Sequence, residues 1–478
     1  MPRSSCESGK HMEITRRDFL SGVAAGAGSL LCGRIGTVTS SKGERADVTL
    51  RIGRVQVDVA PGHTVSTVAY NGCAPGPLIR LRQGVPVAVE ILNDTSTPEY
   101  VHWHGFPVPA DIDGTEEERS LVVPARRHLR YRMTPAESGS RYVHSHVMAM
   151  RDLTKGVYSG QFGFVYVEPK SDPGNYDQEV FLATHEWEPF FIDADEDSMA
   201  AAVEKFGETD WGPPMVEVAY GVRSINGKAL GHGEPIRVKE GQRVLFHILN
   251  ASATENIELS LPGHQFLVIA LDGNPVPRPR MVGTLELGVA ERVDAVVDMK
   301  NPGVWILGST DDDVRGSGLG VLVEYERKSG TAKQRGPQGM GWDYTLFGAS
   351  RATAAPDETI PMIIDRIPPD AGGFERWTIN GKNYDPDEPK ILRKGGRYRL
   401  VFDNRTADAH PLHLHRNTFE LTNINGKRTS GVRKDVVLVK GYQTVEVDFM
   451  ARQEGLTLFH CHNQLHMDTG FKTLLDVA

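Results

Sequence analysis

The chain has 478 residues, a formal net charge of -9 and an isoelectric point near 6.0. That length exceeds one ordinary core and predicts two to four domains of ~100 to 200 residues each. The acidic balance, without a long basic run, argues against nucleic acid as a partner and suits a plain soluble protein.

Residues 1–47 read as an export leader and linker. Thr15-Arg16-Arg17-Asp18-Phe19-Leu20 precedes a weakly apolar stretch, rich in Gly and Ala, from Ser21 to Leu31. The pattern resembles a signal for the twin-arginine export machinery, so a periplasmic or secreted location is expected. The stretch is short of the ~20 strongly apolar residues a spanning helix needs, and nothing later approaches that length, so no stable membrane span is expected. Leu31 is a poor residue before Cys32, which disfavours lipidation there, and Met12 is as sensible a start as Met1.

Of the four cysteines, Cys6 and Cys32 fall in the leader, leaving Cys73 and Cys461. An exported protein could bridge the pair. The histidines flanking Cys461 suit a metal better, and Cys73, in the turn of residues 70–77, reads as a small buried residue.

Self-similarity organises the remainder. YNGCAPGPLIRLRQGVPVAVEILN (70–93) is echoed by INGKALGHGEPIRVKEGQRVLFHILN (225–250) and INGKNYDPDEPKILRKGGRYRLVFDN (379–404). Each unit has an Asn-Gly pair, then a Gly (84, 241, 395) nine residues before an Asn (93, 250, 404), bracketing an alternating apolar run. Period-2 runs with β-branched residues and Gly/Pro/Asn punctuation predict short antiparallel strands, and units of this size suit Greek-key sandwiches. The fold class is all-β, with Pro/Gly-rich breaks placing domains at 48–170, 171–345 and 346–478.

Ten of the 17 histidines fall in four clusters: His102-Trp103-His104-Gly105, His144-Ser145-His146, His410-Pro411-Leu412-His413-Leu414-His415, and His460-Cys461-His462 with His466. On a strand, an H-x-H pair points both imidazoles to one face. One pair is weak evidence, being common by chance or as hydrogen-bonded core residues; four pairs, one enclosing a thiol, point to metal. His with Cys is a blue-copper donor set, whereas a structural zinc site wants only four ligands.

With these four signatures the chain resembles the three-domain, laccase-like multicopper oxidases over nearly its whole length after the leader. The resemblance implies three cupredoxin-like sandwich domains and four copper ions per chain. It implies that His410, Cys461 and His466 hold a type 1 copper, that His102 and His413 hold a type 2 copper, and that His104, His144, His146, His415, His460 and His462 hold a type 3 pair. The middle domain would carry no catalytic copper. It also implies O2 and a small reducing substrate as partners; the oligomeric state stays open.

Two positions depart from the family pattern. The axial position ten residues after the cysteine is Phe471, which cannot ligate, and Met467 is the nearest sulfur, expected to point away if its segment is extended. Met467 also stands where several bacterial members carry a proton-relaying glutamate. Asp113, in the Asp-Gly that follows the first signature, matches the family's acid near the type 2 copper and is the expected relay, ahead of Glu116 and Asp468; its bland reading is a turn-forming Asp-Gly.

The other histidines read as structural. His264 has no paired imidazole, and His185 reads as a packed surface histidine before a residue lining a substrate approach. Asp311-Asp312-Asp313 reads as a solvated loop before a cation site. The resemblance implies oxidation of phenols or aromatic amines, with a metallo-oxidase acting on Cu(I) or Fe(II) as the alternative. There is no methionine-rich insertion, Met148 and Met150 being too few to count. A metal-free cupredoxin scaffold is disfavoured by the complete ligand set, and a copper nitrite reductase by the H-C-H and paired H-x-H.

Overall fold

Each of the three repeats folds around the same two polar devices. Asn71, Asn226 and Asn380 sit at φ 52°, 52° and 55°, each followed by a glycine also at positive φ, the conformation an Asn-Gly hairpin turn requires. The three asparagines make the same bonds: the side-chain oxygen accepts from the backbone N–H of Arg51, Ala183 or Ile363, and the amide donates to Thr49, Phe181 or Pro361 carbonyls. Asn93, Asn250 and Asn404 then close the next loop, accepting from the backbone of Thr95, Ser252 and Thr406.

The computed structural model describes residues 45–171, 174–193, 216–333, 336–337, 339–351, 354–367 and 374–478. The expected export signal, Cys6 and Cys32 lie outside the described residues. Six sheets form three pairs, built from strands within 48–168, 178–325 and 358–477. They have four and four, six and five, and six and five strands. Apolar residues alternate inward along these strands, as in Val48–Ala60, so the facing sheets bury Leu50, Ile52, Val59, Phe246, Leu400 and Phe402. Among the described residues no helix is long and apolar enough to cross a membrane.

The expected antiparallel pairing holds for most strand pairs but not for all. In each unit the opening strand pairs in parallel with the strand ending in the second asparagine, as Val48–Ile52 does with Val89–Asn93, Gln178–Thr184 with Val244–Asn250 and Glu358–Ile364 with Tyr398–Asn404. Between those two strands the chain crosses to the opposite sheet and back, and such a crossover can return in the parallel sense where a tight hairpin cannot.

Two sheets position the candidate site. One places Val101–His104 against Gly139–Ser145, with His102 opposite His144. The other places His410–Leu414 against Gly455–Cys461, with His413 opposite His460 and Leu412 opposite Cys461.

Candidate metal centre

Strand alternation sorts the ligand candidates onto two faces. His413 and His460 face one side and His410 and Cys461 the other, because neighbouring residues on a strand point oppositely. The result is two buried donor groups joined through the backbone of residues 460–462.

In the first group Cys461 Sγ lies 3.8 Å from His410 Nδ1 and 3.7 Å from His466 Nδ1. Thr406 Oγ1 stands 3.0 Å from His410 Nε2, which leaves Nδ1 to face the sulfur. Burial pushes the Cys461 thiol up and holds His466 down at about 3. A thiol so buried becomes a thiolate only when a cation takes the proton's place. Phe471, fully buried, caps the group: its ring stacks on Trp377 at 5.5 Å and lies 5.0 Å from the His410 ring. Met467 is in a helical turn, Gln464–Asp468, and not in an extended segment. Successive helical side chains diverge by ~100°, so Met467 still departs from the direction of His466.

The second group holds eight imidazoles. His104 stacks on His413 at 3.8 Å and His102 on His415 at 4.1 Å, while His146 and His460 meet edge-on at 5.2 Å. His146, His415 and His460 offer ring nitrogens within 4.8 Å of one another, as do His102, His104 and His144. Burial lowers the proton affinity of His104, His144, His146, His413, His415, His460 and His462 well below the usual imidazole range, so these rings are neutral.

Hydrogen bonds set which nitrogen faces inward. His102 Nδ1 donates to the Asp113 carbonyl, His144 Nδ1 to Ser145, His413 Nδ1 to Asp435 and His460 Nδ1 to Cys461. Each of these rings therefore turns a bare Nε2 inward. His104 is reversed: Nε2 donates to Asp435 Oδ1 at 3.0 Å, leaving Nδ1 bare. The inward nitrogens of His102, His104, His144 and His413, both nitrogens of His146, and Nδ1 of His462 are buried without a hydrogen-bond partner. Such orphaned lone pairs are costly in a protein interior unless a metal uses them. The donor set fits copper: neutral imidazoles for the cluster, imidazoles and a thiolate for the mononuclear site.

The carboxylates around the cluster are also explained. Asp113 Oδ2 accepts from His415 Nδ1 at 2.7 Å, and Oδ1 has no partner. Gly114, at φ 93°, is needed after Asp113 because a side chain there would collide with the Val101 carbonyl. Glu118 accepts from Leu458 N–H at 2.7 Å and pairs with Arg416 at 3.0 Å, and burial raises its proton affinity. Glu116 instead lines an open cavity. Asp468, raised to about 6 by burial, is committed to the N–H groups of Ala149 and Met150. Sequence reading missed Asp435, Glu118 and Arg416 altogether.

Two structural readings need correction. His185 is not on the surface: it is fully buried between Phe162 and Trp187 and bonds the Ala251 carbonyl, because its strand lies inside the middle sheet. Cys73 is half-buried, since the tight Asn71-Gly72 turn lifts it to the edge of the sheet. His264 gives Nε2 to the Tyr325 hydroxyl at 2.6 Å. Asp311 caps a helical turn, accepting from Asp313 and Val314.

Paired β-sheets that bury a cysteine–histidine trio beside an eight-imidazole cluster offer the donor set of a protein that holds several copper ions. Three family models described as multicopper oxidase match residues 51–172, 193–326 and 361–478. The multicopper oxidase MmcO of Mycobacterium tuberculosis is 29% identical over 511 aligned positions, covering 97% of this chain and 96% of its own. Laccase-4 of Thanatephorus cucumeris is 24% identical, covering 85% of each chain. In fold, the chain resembles a metallo-oxidase from Campylobacter jejuni at a TM-score of 0.70 and 20% identity, covering 92% of this chain and 93% of that one. The chain belongs to the multicopper oxidase family, and copper is its cofactor.

Proposed function

We propose that the protein oxidises phenols or aromatic amines, one electron at a time, at a type 1 copper held by His410, Cys461 and His466, with electrons passing to a cluster where O2 becomes water. In this reading His102 and His413 hold the type 2 copper, and His104, His144, His146, His415, His460 and His462 the type 3 pair. Copper supplies the redox chemistry; the chain supplies donor geometry, a dry interior and proton handling. Residues 460–462 carry the electrons, since Cys461 belongs to one group and its covalent neighbours to the other. Asp113 relays protons: its Oδ2 holds His415, and its unpartnered Oδ1 can carry one. The twin-arginine leader and a periplasmic or secreted location belong to the same reading.

The observation that carries the substrate class is a cavity of about 580 Å3 beside the type 1 group, lined by Phe374, Tyr384, Pro386 and Leu456 together with Glu116, Glu117 and Glu375. It has room for an aromatic ring. His466 is the one member of the cysteine trio that keeps some exposure, and Trp377, whose neighbour Arg376 lines the cavity, lies 4.3 Å from its ring. Burial raises Glu375 to about 7, which suits it to take the proton a phenol loses on oxidation. A second reading, oxidation of Cu(I) or Fe(II), is favoured by the same carboxylates and by Met148 and Met150, both exposed at this cavity. Thioethers are soft donors that suit Cu(I). Turnover of a phenol, Cu(I) and Fe(II) measured on one copper-loaded preparation decides: faster metal-ion turnover overturns the first reading.

A further inference from the structure

The middle pair of sheets gives no histidine to either donor group, yet one of its side chains reaches the cluster's edge. Arg292, on strand Arg292–Asp298, is fully buried. Its guanidinium donates from Nη1 to Asp435 Oδ1 at 2.7 Å and from Nη2 to Asp435 Oδ2 at 2.6 Å. This parallel two-bond grip fixes a carboxylate plane as a single ammonium could not.

The clamped aspartate holds two stacked imidazoles. Its Oδ1 takes the Nε2–H of His104 and its carbonyl the Nδ1–H of His413. Arg292 is itself fixed at both ends: its backbone N–H donates to Asp272 Oδ1 at 2.9 Å and Nη1 to the Ala290 carbonyl at 2.9 Å. Asp272 Oδ2 accepts in turn from the N–H groups of Asp435 and Val436. The chain clears space for this contact: a side chain on Gly105, the residue after His104, would stand 2.7 Å from Asp435 Oδ2 and 2.9 Å from Arg292 Nη2.

We propose that Arg292 is a positioning residue of the trinuclear centre, clamping Asp435 so that His104 donates through Nε2 and presents Nδ1, not Nε2, to the cluster. The inference rests on the copper assignment made above. A carboxylate whose two oxygens are both held by the fork can offer His104 only an acceptor, which fixes the ring's tautomer and angle together. Without the fork the carboxylate is free to turn, and His104 loses its one directing partner. The middle sheets thus take part in oxygen chemistry without supplying a ligand.

The test uses the copper-loaded full chain carrying Arg292→Gln or Arg292→Lys, beside the parent and Glu291→Gln. Glu291 is buried at the same junction, bonding Lys434 and Tyr344 but no cluster histidine. Read out are the blue type 1 band, the type 2 electron paramagnetic resonance signal, the near-ultraviolet type 3 band and the rate at which a chelator strips cluster copper. Expected for Arg292→Gln are an intact blue band, altered type 2 and type 3 signals, and cluster copper held about 10- to 100-fold less tightly. Arg292→Lys, which keeps the charge without the fork, restores only part and serves alone if Arg292→Gln does not fold. Parental signals and retention in Arg292→Lys and Arg292→Gln overturn the proposal, as does an equal change in Glu291→Gln, which would assign the effect to the junction as a whole. The parent's own copper count and colour test the copper assignment separately.

Discussion

Asp113 and Asp435 stand in the same relation to the histidine cluster. Each gives its backbone carbonyl to one imidazole and its carboxylate to another: Asp113 to His102 and His415, Asp435 to His413 and His104. They differ in the second oxygen, since Arg292 takes up Asp435 Oδ2 while Asp113 Oδ1 has no partner. Only Asp113 has an oxygen left to carry a proton. Asp113→Asn is expected to keep its copper and blue colour and to accept electrons at the parental rate. Oxygen turnover should slow by an order of magnitude or more, towards the ~100 to 10,000-fold of a lost general acid. Stopped-flow bleaching of the blue band beside steady-state oxygen uptake measures the two steps, and parental uptake across pH would remove Asp113 from the relay.

Among the described residues Cys461 is the one cysteine in the first group, where its sulfur meets His410 and His466. Cys461→Ser exchanges a soft donor for a hard one that does not ionise at neutral pH. The blue absorption and the oxidase activity should vanish together, whereas copper bound among the eight imidazoles should remain. Absorption spectroscopy with copper analysis checks this, and colour surviving the substitution would contradict the assignment.

Phe471 sets a ring that cannot ligate beside the cysteine–histidine trio, packed on Trp377 and next to His410. A copper with fewer donors favours its reduced state, so Phe471→Met should lower the type 1 potential in a redox titration. The swap is close to volume-conserving and should cost about 1 kcal/mol of stability. A potential that stays level or rises would mean that another group already serves as a further donor to the copper.

What the sequence made legible was whatever it encodes locally. Asn71, Asn226 and Asn380 announced three equivalent turns because a left-handed Asn-Gly pair leaves a short signature. The ligand clusters were visible because period-2 spacing and strand alternation are the same fact. The carboxylates around them were not: Asp435 lies 331 residues from His104, and Glu118 is 340 residues from Leu458. Such contacts exist only after separate sheets dock, and no spacing rule anticipates them. The parallel pairing of each opening strand was hidden likewise, since alternation shows which face a residue takes but not the direction of its neighbour. His185 was misplaced because nothing in its local sequence shows that its strand lies inside the middle sheet, where Glu186 beside it is buried as well.

His247 supplies a prediction about pH and stability away from copper. It is buried where the first and middle sheets meet, its ring stacked on Phe181 at 4.3 Å and its Nδ1 2.8 Å from Asp294 Oδ1, which also accepts from Ser140. Burial alone would lower its proton affinity, but Asp294 and Glu179 outweigh it and raise the group to about 9. For Glu179, burial is outweighed by His247 and Arg80, which bring it down to about 2. A histidine whose folded value lies above its ordinary ~6.5 contributes stability that is complete below pH ~6.5 and lost as pH rises through about 9. Glu179, shifted the other way, contributes stability present above its ordinary ~4.3 and lost as pH falls towards about 2. The two shifts describe largely one interaction and are not summed; that interaction is worth about 3 kcal/mol. His247→Gln should therefore lower the melting temperature near pH 6 and lose most of that deficit by pH 10, flattening the parent's alkaline decline. Differential scanning calorimetry of both proteins from pH 5 to pH 10 measures it, and parallel curves across that range would show that His247 is not the charged partner of Asp294.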